Sequence, residues 1–150
     1  MTSQGRAIRY GLLVLAVGQI GGGLWALVAP RSFYGDFPGG GRHWVSALGP
    51  YNEHMTIDYG SLSLGLVIVM GAAAIALERR LVLVALFGWL GWALPHLIFH
   101  ILNLGTYDTT DAVANVITLG LTVLVPLGLL PLAWRLPTAA VQPVAKPDRH

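Results

Sequence analysis

Two pairs of residues spaced for one helix face carry most of the chemistry in this chain: His54 with Asp58, and His96 with His100. Side chains four positions apart stand about 6 Å apart along one face of a helix, close enough to grip a single ion. Brought together, three imidazoles and one carboxylate form a nitrogen–oxygen ligand set that suits zinc, iron or copper rather than calcium or magnesium. Glu53 beside the first pair, and Asn115 further along, are of the type that fixes an imidazole tautomer from behind a metal. The same residues allow other chemistries. Two imidazoles on different helices can clasp a haem, with His54 and either His96 or His100 as the axial pair. Without a cofactor, Glu53, Asp58 and His96 can serve as general acid and base on a lipid-like substrate, protonating an alkene or shifting a double bond. The plain alternative is that these groups only hydrogen-bond across helices and hold a bundle together. With no cysteine in the chain, thiolate ligands, disulfides and iron–sulfur clusters are excluded.

The elements that must position these residues are membrane helices. The 150 residues are 55% hydrophobic and 11% charged, with a mean hydropathy of +0.65, which does not suit a water-facing surface. Four segments reach the roughly 20 apolar residues that a helix needs to cross the hydrocarbon core: about 10–29, 55–77, 81–104 and 112–134. Unpaired backbone groups are costly in lipid and no segment alternates like a barrel strand, so the fold class is an all-α membrane protein, a four-transmembrane-helix bundle. Arg6 and Arg9 ahead of the first segment resemble the start of a signal peptide, but the apolar run is long and Pro30 directly follows the candidate cleavage point, which favours a retained span.

Charge sets the orientation. Arg6, Arg9, Arg79, Arg80, Arg135, Lys146 and Arg149 fall on one side of the four spans, and only Arg31 and Arg42 on the other. The positive-inside rule therefore puts both termini in the cytoplasm of a multi-pass cell-membrane protein. Because the basic residues are scattered between apolar blocks and form no stripe, nucleic acid is not an expected partner despite a net charge of +2. Residues 1–136 form the membrane domain, and the proline-containing stretch 137–150 reads as a disordered cytoplasmic tail.

With this topology, Glu53, His54, Asp58, His96, His100, Asp108, Asp111 and Asn115 all fall in the outer half of the membrane. The second helix runs inward and the third outward, so His54 is expected level with His100, and Asp58 level with His96. The outer connection 30–50 is too rich in proline and glycine for a span and reads as a loop, yet it carries Phe33, Tyr34, Phe37, His43 and Trp44. It is either an interfacial aromatic belt or a lid, with His43 or Trp44 reaching into the site and Gly39 to Gly41 as hinge. Gly11, Gly18 and Gly22 in the first span, Ser61 and Gly65 in the second, and Gly88 and Gly91 in the third are candidates for close helix packing, within one chain or in a homo-oligomer. Pro95 and Pro126 lie inside the third and fourth spans and remove backbone donors there.

The stretches YNEHMTIDYG and PHLIFHILNLG, with the four-span layout, resemble a group of uncharacterised small actinobacterial membrane proteins, and the architecture is similar to the DoxX-like superfamily. The resemblance covers the chain to about Arg135 and implies a redox or quinone-linked role. The expected site is thus His54, Asp58, His96 and His100 around a transition metal, with Glu53, Asn115 and Trp44 in support. It would act on, or exchange electrons with, a quinone- or isoprenoid-like molecule drawn from membrane lipid. A non-catalytic accessory subunit of a larger membrane complex is the rival. The discriminating feature is a cavity behind the outer loop, which an enzyme needs and an accessory subunit does not.

Overall fold

The computed structural model describes residues 2–137. Beyond Pro137, the tail expected over 137–150 lies outside the described residues. Five α-helices occur among those described: α1 (Ser3–Val28), α2 (Pro30–Asp36), α3 (Glu53–Ala76), α4 (Arg79–Leu102) and α5 (Thr109–Trp134). Four of them, α1, α3, α4 and α5, are long and apolar enough to cross a membrane. All four begin earlier than their apolar runs, α4 by two residues with no side-chain cap, and the other three with a polar side chain capping the start. Thr2 accepts the Gly5 N–H at 3.1 Å, Asn52 the Met55 N–H at 3.1 Å, and Asp108 the Asp111 N–H at 2.9 Å.

The outer connection is not the plain loop expected from its composition. Pro30 opens α2, where its missing N–H and fixed φ cost nothing. A two-residue antiparallel pair follows, β1 (Pro38–Gly39) against β2 (Arg42–His43). Its turn is made by Gly40 and Gly41 at φ of 66° and 76°, a conformation that disfavours side chains. These glycines serve a hairpin turn.

The four long helices pack as two pairs. α1 lies chiefly on α3 and α4 chiefly on α5, while slighter α3–α4 and α1–α5 contacts close the ring. The α1–α3 crossing is made by Gly23 and Gly60, not by the expected Gly18, Gly22, Ser61 and Gly65. A Cβ at Gly60 would stand 2.8 Å from the Gly23 carbonyl oxygen and 3.0 Å from the Leu27 nitrogen, and one at Gly23 would stand 2.8 Å from the Ser63 Cβ. At Gly18, Gly65, Gly88 and Gly91 a Cβ would meet nothing within 4 Å. Gly11 does pack, under the Leu129 side chain of α5.

One end of the bundle is filled. Ile8, Leu12, Met70, Val82, Leu86, Trp89 and Ala133 are all buried there in one apolar cluster. At the same end Arg9 donates from Nε to the Ala74 carbonyl at 2.9 Å, and Gln4 donates to the Leu132 carbonyl at 2.9 Å. Both are carbonyls in the last turn of a helix, and that of Leu132 also accepts the Arg135 N–H at 3.1 Å. The two bonds bring the start of α1, the end of α3 and the end of α5 together. α4 and α5 continue through Pro95 and through Pro126 and Pro131. Pro126 has no N–H for the Thr122 carbonyl, and Trp89 of α4 supplies the missing donor from Nε1 at 2.8 Å. Outside, Val14, Val17, Leu62, Ile68, Ile75, Val84 and Leu124 stand exposed around the whole bundle. A surface that apolar on every side is one for lipid.

Adding a single methyl tests the crossing. Gly60→Ala should lower stability in detergent by about 1–3 kcal/mol through overpacking, whereas Gly65→Ala should leave it unchanged or raise it. Thermal melts of the two variants beside the parent protein decide the matter, and equal melts would refute the close crossing.

Candidate functional site

At the end away from the Arg79–Arg80 turn the two helix pairs diverge and leave a cavity of about 940 Å3. α1 contributes Gln19 and Gly22, α3 Thr56 and Tyr59, α4 Trp92, His96 and His100, and α5 Asn115, Thr118 and Thr122. The α1–α3 connection covers the mouth of the cavity with Phe33, Phe37 and Trp44. Met55 and Phe99, and likewise Gly18 and Thr118, line the cavity and are exposed residues of the bundle.

The cover is a packed layer. Phe33, only 4% exposed, stacks on Tyr59 of α3 with ring centres 5.3 Å apart and lies 4.9 Å from Phe37. Trp44 meets Phe37 edge-on at 6.3 Å. Polar ties fasten the layer to the helices. Arg42 pairs with Asp111 in the first turn of α5, and the Tyr107 hydroxyl donates to the Trp44 carbonyl at 2.8 Å. Tyr34 donates to the Gly49 carbonyl at 2.6 Å. Burial pushes the Tyr107 phenol up to about 12 from its ordinary value of 10.0, so at neutral pH it is protonated and available as that donor.

Of the residues singled out from sequence, His96, His100, Asn115 and Trp44 meet at this cavity. His96 stacks on Trp92 with ring centres 5.2 Å apart and planes 19° apart, and its ring centre is 4.8 Å from that of His100. His100 stacks in turn on Tyr107 at 6.1 Å. Its Nδ1 lies 3.4 Å from the Tyr107 hydroxyl, whose own proton goes to Trp44. A proton on Nδ1 therefore points to the phenol oxygen and leaves Nε2 with its lone pair.

Glu53, His54 and Asp58 are not in the cavity lining. His54 and Asp58 pair with each other at 3.3 Å, with side chains 81% and 49% exposed. The expected plane of His54, Asp58, His96 and His100 is therefore not assembled. Among the described residues no group of three or more His, Asp or Glu side chains is placed to share an ion. The reason lies in which face of α3 turns inward. Thr56, Gly60 and Ser63 are buried against α1, and at 100° per residue His54 and Asp58 come out on the opposite side. Glu53, exposed in the first turn of α3, is placed where a carboxylate favours the helix start. His43 is exposed, with Nδ1 at the Gly35 carbonyl, and does not enter the cavity.

Two contributors were missed from sequence. Gln19, 7% exposed, donates to Ser63 at 2.8 Å and fixes α1 to α3 beneath the cavity. The signal was available, since a glutamine inside an apolar span needs a partner. Tyr107 sits in a short polar connection that gave no sign of its reach to Trp44.

Two buried polar atoms have no protein partner among the described residues, Trp44 Nε1 and Asn115 Oδ1. Asn115 is fully buried and its Nδ2 donates to the Asp111 carbonyl at 3.0 Å, which fixes the free end of the amide as oxygen. A donor and an acceptor are thus left open in cavity-lining residues, where native structures rarely leave any.

Raising the pH tests the phenol. With its pKa above that of the unfolded chain, Tyr107 contributes stability that is complete below pH 10 and lost as pH climbs toward 12. The parent protein should therefore lose more stability across that interval than Tyr107→Phe, as followed by chemical denaturation at stepped pH. Parallel losses would contradict a buried phenol.

No protein-family model, curated protein or solved structure matches this chain, so it is assigned to no family.

Proposed function

We propose that this membrane protein holds a hydrophobic small molecule of quinone or isoprenoid kind in the outer cavity, with its polar end at His96, His100, Asn115 and Trp44. The observation that carries this is the cavity itself, about 940 Å3 and walled by aromatic rings, with His96 and His100 in its lining. Ligand sites pair apolar walls with a few convergent polar groups in this way. Met55, Phe99, Gly18 and Thr118 line the cavity and are exposed, which suits entry of a molecule from lipid between the helices. Arg6, Arg9, Arg79, Arg80 and Arg135 lie at the other end of the bundle, so by the positive-inside rule the cavity belongs to the extracytoplasmic half. A cavity behind the outer connection favours this role over that of an accessory subunit.

His96 and His100 are the groups for chemistry on the bound molecule. An imidazole with Nδ1 held by a phenol can accept a proton at Nε2 or return one, as acid–base chemistry on a lipid-like substrate or proton-coupled electron exchange requires. A zinc, iron or copper ion would have to be built from these same two imidazoles, its remaining ligands coming from water or from the bound molecule. A haem would find only a one-sided hold here, since His96 and His100 stand on the same helix and His54 is outside the cavity lining.

Native mass spectrometry and elemental analysis of protein purified in mild detergent test this together. A co-purifying neutral lipid or prenyl compound is expected, lost at least tenfold in the His96→Ala, His100→Ala double variant by about two lost polar contacts. It should be retained in His54→Ala. A metal lost in the double variant would add the ion to the site. If no small molecule binds to folded protein, even when prenyl quinones and prenols are supplied, the proposal is wrong.

A further inference from the structure

Most polar side chains in the cavity lining are already engaged within the chain, and on the small-molecule reading proposed above this says where a ligand's polar atom goes. Thr56 donates to the Asn52 carbonyl at 2.9 Å, Thr118 to the Ala114 carbonyl at 2.7 Å and Thr122 to the Leu119 carbonyl at 2.7 Å, so these hydroxyls turn back onto their own helices. The Gln19 amide donates to Ser63 and lies 3.5 Å from the Tyr59 hydroxyl. His100 is 9% exposed, with the Tyr107 phenol at its Nδ1 and the Asn115 side chain within hydrogen-bond reach. His96 differs. Its ring makes no hydrogen bond among the described residues, and neither of its nitrogens is one of the buried unpartnered atoms, so both keep accessible surface in a residue that lines the cavity.

Depth and charge limit what can meet it. His96 stands six residues before Leu102, the end of α4, which puts it about 9 Å inward along the helix. Among the described residues that line the cavity none is acidic, and Arg42, the one with a formal charge, is neutralised by Asp111. An ionic head carried to that depth would lose its water and find no free counter-ion. A neutral imidazole donates from one nitrogen and accepts at the other, so it serves a hydroxyl or a carbonyl equally well. We infer that His96 takes the polar atom of the bound lipid, and that the cavity therefore holds an uncharged lipid with a hydroxyl or carbonyl head in preference to amine-headed, phosphorylated or purely hydrocarbon counterparts. His100 stands behind that contact, tied to the cover through Tyr107.

The experiment is competition on the intact protein in mild detergent, read by native mass spectrometry, with equimolar geranylgeraniol, its amine, its monophosphate and the hydrocarbon of the same chain. The alcohol is expected to exceed each rival by about tenfold, the worth of one hydrogen bond made away from water. His96→Phe keeps a ring on Trp92 but removes both nitrogens, and should bring the alcohol down to the hydrocarbon. His100→Phe should weaken alcohol and hydrocarbon alike and keep their ratio. Magnetic resonance of isotope-labelled histidine nitrogens in the parent protein needs no variant to fold, and the bound alcohol should move the His96 signals where the hydrocarbon does not. Equal binding of alcohol and hydrocarbon, preference for the amine or the monophosphate, His96 signals unmoved by bound alcohol, or a ratio lost in His100→Phe but kept in His96→Phe would each overturn the inference and leave the lipid-like site standing. Failure of all four, and of a prenyl quinone, to bind folded protein would overturn the site itself.

Discussion

In lipid a polar group that the chain does not satisfy stays unsatisfied, and this single constraint decides how the bundle is built. Each helix end and each proline presents a carbonyl that water would otherwise take. Trp89 answers the carbonyl that Pro126 leaves open, Arg9 answers the end of α3, and Gln4 answers the end of α5. Gln19, the amide midway through α1, donates to Ser63. Side chains that look like incidental polar residues in an apolar sequence turn out to be the bonds by which one helix is fastened to the next. Against that pattern Trp44 Nε1 and Asn115 Oδ1 stand out, since both are buried and neither is answered within the described chain.

The same helices form a filled half and an open half because their contacts are unequal. Gly23 and Gly60 let α1 and α3 approach until backbone meets side chain, and Trp89 locks α4 to α5. Between the pairs only the basic end is packed, by Ile8, Leu12, Met70, Val82 and Leu86. Two rigid pairs joined at one end must spread at the other unless large side chains fill the gap. Gly18, Gly22, Thr56, Ala114 and Thr118 are too small to do so, and the space they leave is the cavity. The aromatic layer from α2 to Trp44 then covers it.

Span number and approximate extent were legible because length and apolarity decide them, and helix starts were set too late because polar residues, among them the caps Thr2, Asn52 and Asp108 and the uncapped Arg79–Arg80 start of α4, lie outside the apolar runs. Rotation of each helix was not legible. In a water-soluble helix the apolar stripe marks the inner face, but here every face is apolar and periodicity carries no direction. His54 with Asp58 and His96 with His100 share one spacing, yet one pair faces outward and the other lines the cavity. What marks the inner face of α3 is the run of small residues Thr56, Gly60 and Ser63, whose value depends on a partner helix that a single segment does not reveal. The GxxxG spacing of Gly18 and Gly22 pointed to the wrong glycines for the same reason. His96 and His100 do line the cavity with Asn115, because their face of α4 turns toward α5 whereas the equally spaced pair on α3 turns away.

The fastening of the cover and the open polar atoms are not independent features. Arg42 and Trp44 belong to the cover, whereas Asp111 and Asn115 belong to α5, and Asn115 donates to the backbone of the residue that Arg42 binds. Tyr107, between α4 and α5, holds the Trp44 carbonyl while it stacks on His100. The cover is thus tied to α5 through Arg42 and to the α4–α5 connection through Tyr107, and Tyr107 also stacks on His100, so a change at either tie acts on the cover and on the cavity wall together. In the site proposed above, a molecule held beneath the cover and against α5 would add contacts across that same seam, so its binding and the seating of the cover would favour each other.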